Sequence, residues 1–90
     1  MVELASTPRF GAGAKFRMDK VRDTWVVLAP ERLFLPDEHA VEVLKLVDGQ
    51  RSVQGIADLL AERFAAPVEV ISGDVIAMLQ DLVDKGVLEV

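Results

Sequence analysis

Arg32-Leu33-Phe34-Leu35-Pro36-Asp37-Glu38 is the stretch at which the chain changes its period. Arg32 to Leu35 reads as a short strand, stopped by Pro36, which has no N–H to give to a ladder. Asp37 is a good helix N-cap, and Glu38 behind it suits the positive end of a helix dipole. Toward the N-terminus, Pro30-Glu31 is a turn, and Trp25-Val26-Val27-Leu28 is β-branched and aromatic, as a strand requires. Arg22-Asp23 is a second turn, and Lys15-Phe16-Arg17-Met18-Asp19 alternates polar and apolar with period two. Three short strands at this spacing predict a small antiparallel sheet. Gly11-Ala12-Gly13 reads as flexible, and residues 1–13 as an N-terminal tail with nothing to bury.

Toward the C-terminus the period becomes helical. Ala40, Val43, Leu44 and Val47 recur at three and four residues, and Gly49 is the expected C′ residue of this first helix. Ser52 caps a second helix with a stripe of Ile56, Leu59, Leu60 and Phe64. Pro67 separates it from a third, whose stripe is Val75, Met78, Leu79, Leu82 and Val83, preceded by Val68 and Ile71. Ser72-Gly73 weakens the start of that helix, and Ser72 is itself a candidate N-cap. Gly86 ends it, and Val87-Leu88-Glu89-Val90 is a short apolar close. The order is βββααα. The expected fold class is α+β: winged-helix-like, with a small three-stranded antiparallel sheet followed by a three-helix bundle. Residues 14–90 form the domain.

Ninety residues make one domain, and an apolar fraction of 51% is enough for a core. A chain of this size buries only about 60–65% of its unfolded surface. There is no Cys, which excludes a thiolate nucleophile, a Cys-based zinc site and a disulfide scaffold. No run approaches the roughly 18 apolar residues of a membrane span, and Met1 to Phe10 lacks the apolar stretch of a signal peptide. A soluble cytoplasmic protein is expected. Residues 1–35 carry six basic and four acidic residues (+2), whereas residues 36–90 carry four and eleven (−7). An acidic helical half repels nucleic acid and favours basic partner groups.

The residues assemble no catalytic constellation. His39 is the one histidine, and without a second His or any Cys it has no co-ligands at metal spacing. Asp81 with Asp84, and Glu38 with Glu42, are carboxylate pairs that a hard cation could use, but a solvated helix face explains them better, as does pairing of Asp81 with Lys85. Ser52 and Ser72 precede helices and are explained by capping. No glycine pattern makes a phosphate cradle. The third helix holds Asp74, Asp81 and Asp84 against Lys85 and so makes a poor DNA-recognition helix. An uncovered edge of a short sheet remains, with free N–H and C=O groups to which an extended peptide can add as a strand. Arg32-Leu33-Phe34-Leu35 is the candidate edge.

Trp25-Val26-Val27-Leu28-Ala29-Pro30-Glu31-Arg32, then Asp48-Gly49, Arg51-Ser52-Val53 and Ile56-Ala57, then Asp74-Val75, Leu79, Leu82 and Gly86-Val87-Leu88, resemble the PqqD family in order and spacing over roughly residues 15–89. The resemblance implies a non-catalytic, cofactor-free peptide chaperone of pyrroloquinoline quinone biosynthesis. Such a chaperone binds the precursor peptide PqqA and presents it to PqqE, a radical S-adenosylmethionine enzyme. It implies that a peptide pairs against the third strand, here Arg32, Leu33, Phe34 and Leu35, beside a helix face including Asp74, Val75, Ala77, Met78, Asp81 and Leu82. Leu33 and Leu35 share one face of that strand and Phe34 takes the other; one set packs the core and the other meets the peptide. Met78 suits a groove for irregular side chains, Asp74 and Asp81 a basic or N–H group, and Arg32 a carboxylate. The expected partners are PqqA and PqqE, with no nucleic acid, no membrane and no metal. The expected state is a monomer, with dimerisation through the strand edge open at high concentration. A winged-helix nucleic-acid module, or a structural subunit that clamps PqqE, is the competing reading.

Overall fold

A computed structural model describes all residues, 1–90. Three strands, β2 (Lys15–Asp19), β3 (Thr24–Ala29) and β4 (Arg32–Phe34), follow a two-residue strand β1 (Arg9–Phe10). Three helices come next, α1 (Glu38–Leu44), α2 (Val53–Phe64) and α3 (Val68–Asp84), and the chain ends on β5 (Leu88–Glu89). The main sheet is antiparallel, in the order β2-β3-β4. The expected α+β architecture of a three-stranded antiparallel sheet and three helices is therefore present. Lys15 pairs with Leu28 across β2 and β3, and Leu28 with Leu33 across β3 and β4. Val27, Leu44, Ile56, Leu79 and Val87 meet at the centre of one core, all essentially inaccessible.

The helix caps explain where the helices begin. Asp37 Oδ1 accepts the Ala40 amide at 2.8 Å, as the sequence predicts. Ser52 Oγ accepts the Gly55 amide at 3.1 Å. Two further first-turn amides of α2 are satisfied from far away in sequence: Val53 donates to the Ser6 carbonyl at 2.8 Å, and Gln54 to the Leu4 carbonyl at 2.9 Å. These donors have no partner within their own helix, so an external acceptor is required.

That contact corrects the expectation for residues 1–13. The segment is docked. Val2 is 3% exposed and joins the core, and its amide donates to Gln80 Oε1 at 2.7 Å. Phe10 stacks on Phe16 with ring centroids 6.0 Å apart. Arg9 pairs with Glu89 and Phe10 with Leu88, so the apolar close of the chain is a strand completing a second, two-stranded sheet. Isolated buried residues on an irregular path leave no periodic signal, which is why the segment reads as a tail.

Three helix expectations are also corrected. The first helix ends at Leu44, before Val47. Leu46 and Val47 donate to the carbonyls of Val43 and Leu44, tightening the last turn, and Val47 is still buried. Gly49, at φ +76°, belongs to the following loop. On α2, Leu59 and Phe64 are 43% and 49% exposed, so the buried face narrows to Val53, Ile56, Ala57 and Leu60. The third helix starts at Val68 behind Pro67, four residues before Ser72. The Ser72 hydroxyl donates back to the Val68 carbonyl within the helix, which removes its competition as a cap.

Two loops use one device. Asp19 accepts from the amides of Val21 and Arg22 and pairs with the Arg22 guanidinium at 3.1 Å. Asp48 does the same with Gln50, Arg51 and the Arg51 guanidinium, also at 3.1 Å. The backbone hydrogen bonds from Arg22 and Arg51, respectively, are the main cause that holds each carboxyl below its ordinary value of 3.8.

Gly73 lies inside α3 with open space where a Cβ would stand. The variant Gly73→Ala should therefore gain about 0.8 kcal/mol from helix propensity, read as a rise of roughly 3–6 °C in Tm. Because Asp19 and Asp48 have lowered folded pKa values, their contribution is complete above the unfolded value and is lost as pH falls through the folded ones. Thermal stability should hold down to about pH 4 and fall below it. A double variant Asp19→Asn, Asp48→Asn should show a shallower acid decline in the same melts.

Candidate functional site

β4 lies at the end of the sheet order, so one of its sides has no strand partner. The hairpin from β3 turns through Pro30 and Glu31 and closes on the Ala29–Arg32 pair. A two-residue turn closes on a hydrogen-bonded pair, and ladder alternation then turns the main-chain groups of Leu33 away from β3. Phe34 stands opposite Val27 and packs against the core. Leu33 and Leu35, 40% and 61% exposed, take the other face. This resolves which set packs inward: Phe34 does, and the two leucines stay in solvent.

One stripe of α3 runs through exposed Asp74, half-buried Met78 and exposed Asp81 to Lys85 at the C-cap, at helical spacings of four, three and four residues. This line is roughly 16 Å long at 1.5 Å per residue. Lys85 Nζ lies 5.9 Å from the Phe34 ring centroid and 2.9 Å from Asp81 Oδ2. It therefore joins the C-terminal end of the line to β4. At the other end, Asp74, Val75 and Met78 line a groove of about 380 Å³ shared with α1 and α2. Its apolar floor includes Ala40, Val43, Leu60 and Phe64, and Asp37, His39 and Glu42 stand at its rim. Asp37 follows β4 by three residues, so the groove opens close to where the strand ends.

The ten expected site residues fall into distinct positions. Arg32, Leu33 and Leu35 are exposed on or just beyond β4, and Phe34 is half-buried beneath Lys85. Asp74, Ala77 and Asp81 are exposed, and Met78 and Leu82 half-buried. Val75 is 2% exposed and is a core residue that floors the groove. Ala77 and Leu82 flank the stripe. Sequence reading missed Lys85 as part of the site, although its spacing from Met78 and Asp81 places it on the same helix stripe. It also missed Ala40, His39 and Phe64, which reach the groove only through helix packing. The carboxylates singled out as a cation pair are otherwise engaged: Asp81 with Lys85, and Asp84 with the Gln80 amide at 2.9 Å. Glu42 is held by Arg63 at 2.7 Å. No helix is long and apolar enough to cross a membrane.

The family model for coenzyme PQQ synthesis protein D (PqqD) matches residues 24–88. The chain belongs to the PqqD family. It is 56% identical to a PqqA binding protein of Bradyrhizobium diazoefficiens over 97% of this chain and 84% of that one. It is 45% identical to the bifunctional coenzyme PQQ synthesis protein C/D of Methylorubrum extorquens over 94% of this chain but 23% of that larger protein. Among solved structures, the solution structure of the PqqD truncation of Methylobacterium extorquens PqqCD superposes with a TM-score of 0.85 at 42% identity, covering 100% of this chain and 96% of that one. That truncation is described as a functional, stand-alone recognition element for ribosomally synthesised, post-translationally modified peptides. The crystal structure of PqqD from Xanthomonas campestris matches at 0.64 and 37% identity over both full chains.

Proposed function

We propose that this chain is a non-catalytic, cytoplasmic chaperone that binds the precursor peptide PqqA. The peptide adds as a strand to the free edge of β4, and the chain presents it to the radical S-adenosylmethionine enzyme PqqE during pyrroloquinoline quinone biosynthesis. The observation that carries this reading is the free edge of β4, which runs out beside the α3 line and its groove. An added strand alternates its side chains. One set would lie over Phe34, Met78 and the groove, and the other beside Leu33 and Leu35. Arg32 and Lys85 offer cations to a peptide carboxylate, while Asp74 and Asp81 offer acceptors to a basic or N–H group. The names of the curated relatives support the peptide partner. A nucleic-acid role is disfavoured, because three aspartates on α3 face solvent, the helix holds no cation, and Lys85 at its C-cap is already paired with one of them.

Titration calorimetry with synthetic PqqA, followed by amide shift mapping, should give binding with changes clustered on residues 32–36 and 74–82. Leu33 is exposed, so Leu33→Asp should fold normally and weaken PqqA binding roughly tenfold or more, as loss of a central contact does. Phe34→Asp is a poorer probe because Phe34 supports the core. A folded Leu33→Asp variant with unchanged affinity would remove β4 from the peptide path. Addition of PqqE to the PqqA complex should give a ternary species by size-exclusion chromatography.

A further inference from the structure

The hairpin joining β2 to β3 takes no part in the peptide site. Val21 at its tip is 96% exposed, between Lys20 and Arg22. The tip is held in shape: Asp19 accepts from the Val21 amide at 2.9 Å, the Arg22 amide at 3.3 Å and the Arg22 guanidinium at 3.1 Å. The loop at Asp48-Gly49-Gln50-Arg51 is built in the same way, and there the residue corresponding to Val21 is Gln50. The turn therefore does not need an apolar residue at this place. The turn thus holds the backbone of Val21 while its β-branched apolar side chain stands in water. Its surroundings are cationic: of the four Lys and Arg within residues 15–22, Arg22 is paired with Asp19, and Lys15, Arg17 and Lys20 stand exposed with no further acid in that stretch. Met18, 41% exposed, extends the apolar surface along β2.

We propose that Lys20-Val21-Arg22 is a docking prong for a protein surface with an apolar pocket rimmed by carboxylates. The partner is the enzyme that receives the peptide, so this inference rests on the function proposed above. The prong's strand, β2, and the peptide edge, β4, are opposite edges of one sheet. Two strand spacings, roughly 10 Å, separate them. A partner can hold the prong while the peptide stays on β4 within its reach. A tip already held by three hydrogen bonds loses little conformational entropy on docking. Its cations speed encounter with an acidic surface. A nucleic acid is a weaker fit, because Asp19 and Asp23 stand on either side of the tip and the chain carries a net charge of −5.

The test titrates immobilised PqqE with the wild-type chain, Val21→Asp and Lys20→Glu, with PqqA affinity measured in parallel. Both substitutions lie on exposed side chains, so both variants should fold. Each should bind PqqE roughly tenfold more weakly, with PqqA affinity unchanged, and the wild-type affinity for PqqE should fall as salt rises. Equal binding of PqqE by all three proteins overturns the prong and leaves the chaperone reading standing. A wild-type chain that does not bind PqqE, with or without PqqA, overturns both. Loss of duplex DNA binding in the variants, with PqqE binding intact, reassigns the tip to nucleic acid and overturns the proposal.

Discussion

The N-terminus of α2 is the point on which the rest of this small fold depends. Val53 is wholly buried, and its amide, like that of Gln54, has no acceptor within the helix. An unsatisfied buried donor costs about 1–3 kcal/mol, a large fraction of the stability of a ninety-residue domain. The carbonyls of Leu4 and Ser6 remove that cost, and in doing so they fix the path of the N-terminal segment across the helices. The path then brings Val2 onto the core, Phe10 onto Phe16 and β1 onto β5. Chain ends that look dispensable are thus part of one hydrogen-bonded closure. The exposed Arg9–Glu89 pair at 2.9 Å adds little to it by itself.

The site uses the same side chains that build the core. Phe34 covers the core from β4 while standing at the free edge, Val75 floors the groove, and Met78 is half-buried between the two roles. This sharing is expected where a short sheet and three helices must produce both a core and a binding surface from ninety residues. It also sets the polarity of the surface. Apolar groups sit low, where packing keeps them, and charges stand at the rim: Asp37, Glu42 and Asp74 around the groove, Lys85 and Asp81 toward β4. Four of the six cations of residues 1–35, Lys15, Arg17, Lys20 and Arg22, lie on the β2–β3 hairpin, while Arg32 stands on β4. The charge asymmetry read along the sequence becomes an asymmetry in space because the two halves form different layers.

Elements with local causes were legible. Asp37 and Ser52 act as caps, Pro36 stops the strand, and the alternation in Lys15–Asp19 and the β-branched run in Thr24–Ala29 make a hairpin. The failures also have local explanations. Ser72 looks like a cap, yet a serine can equally turn its hydroxyl back on the helix, and only the start at Pro67 decides between these. Leu59 and Phe64 fit a helical stripe, but how wide a stripe is covered depends on the angle at which α3 crosses α2.

The sequence by itself determined the run β2, β3, β4, α1, α2, α3 and the uncovered edge at Arg32–Leu35, because period, caps and breakers are properties of neighbouring residues, while the family came from a resemblance of motifs in order; it did not give β1 and β5. Tertiary structure alone decided three things. It docked residues 1–13, through single contacts with no period. It turned Phe34 inward and left Leu33 and Leu35 outward, since alternation gives two faces but not which of them is covered. It gathered Ala40, Phe64 and Met78 into one groove and set Lys85 over Phe34, because packing brings residues from separate elements together at distances that no spacing along the chain encodes.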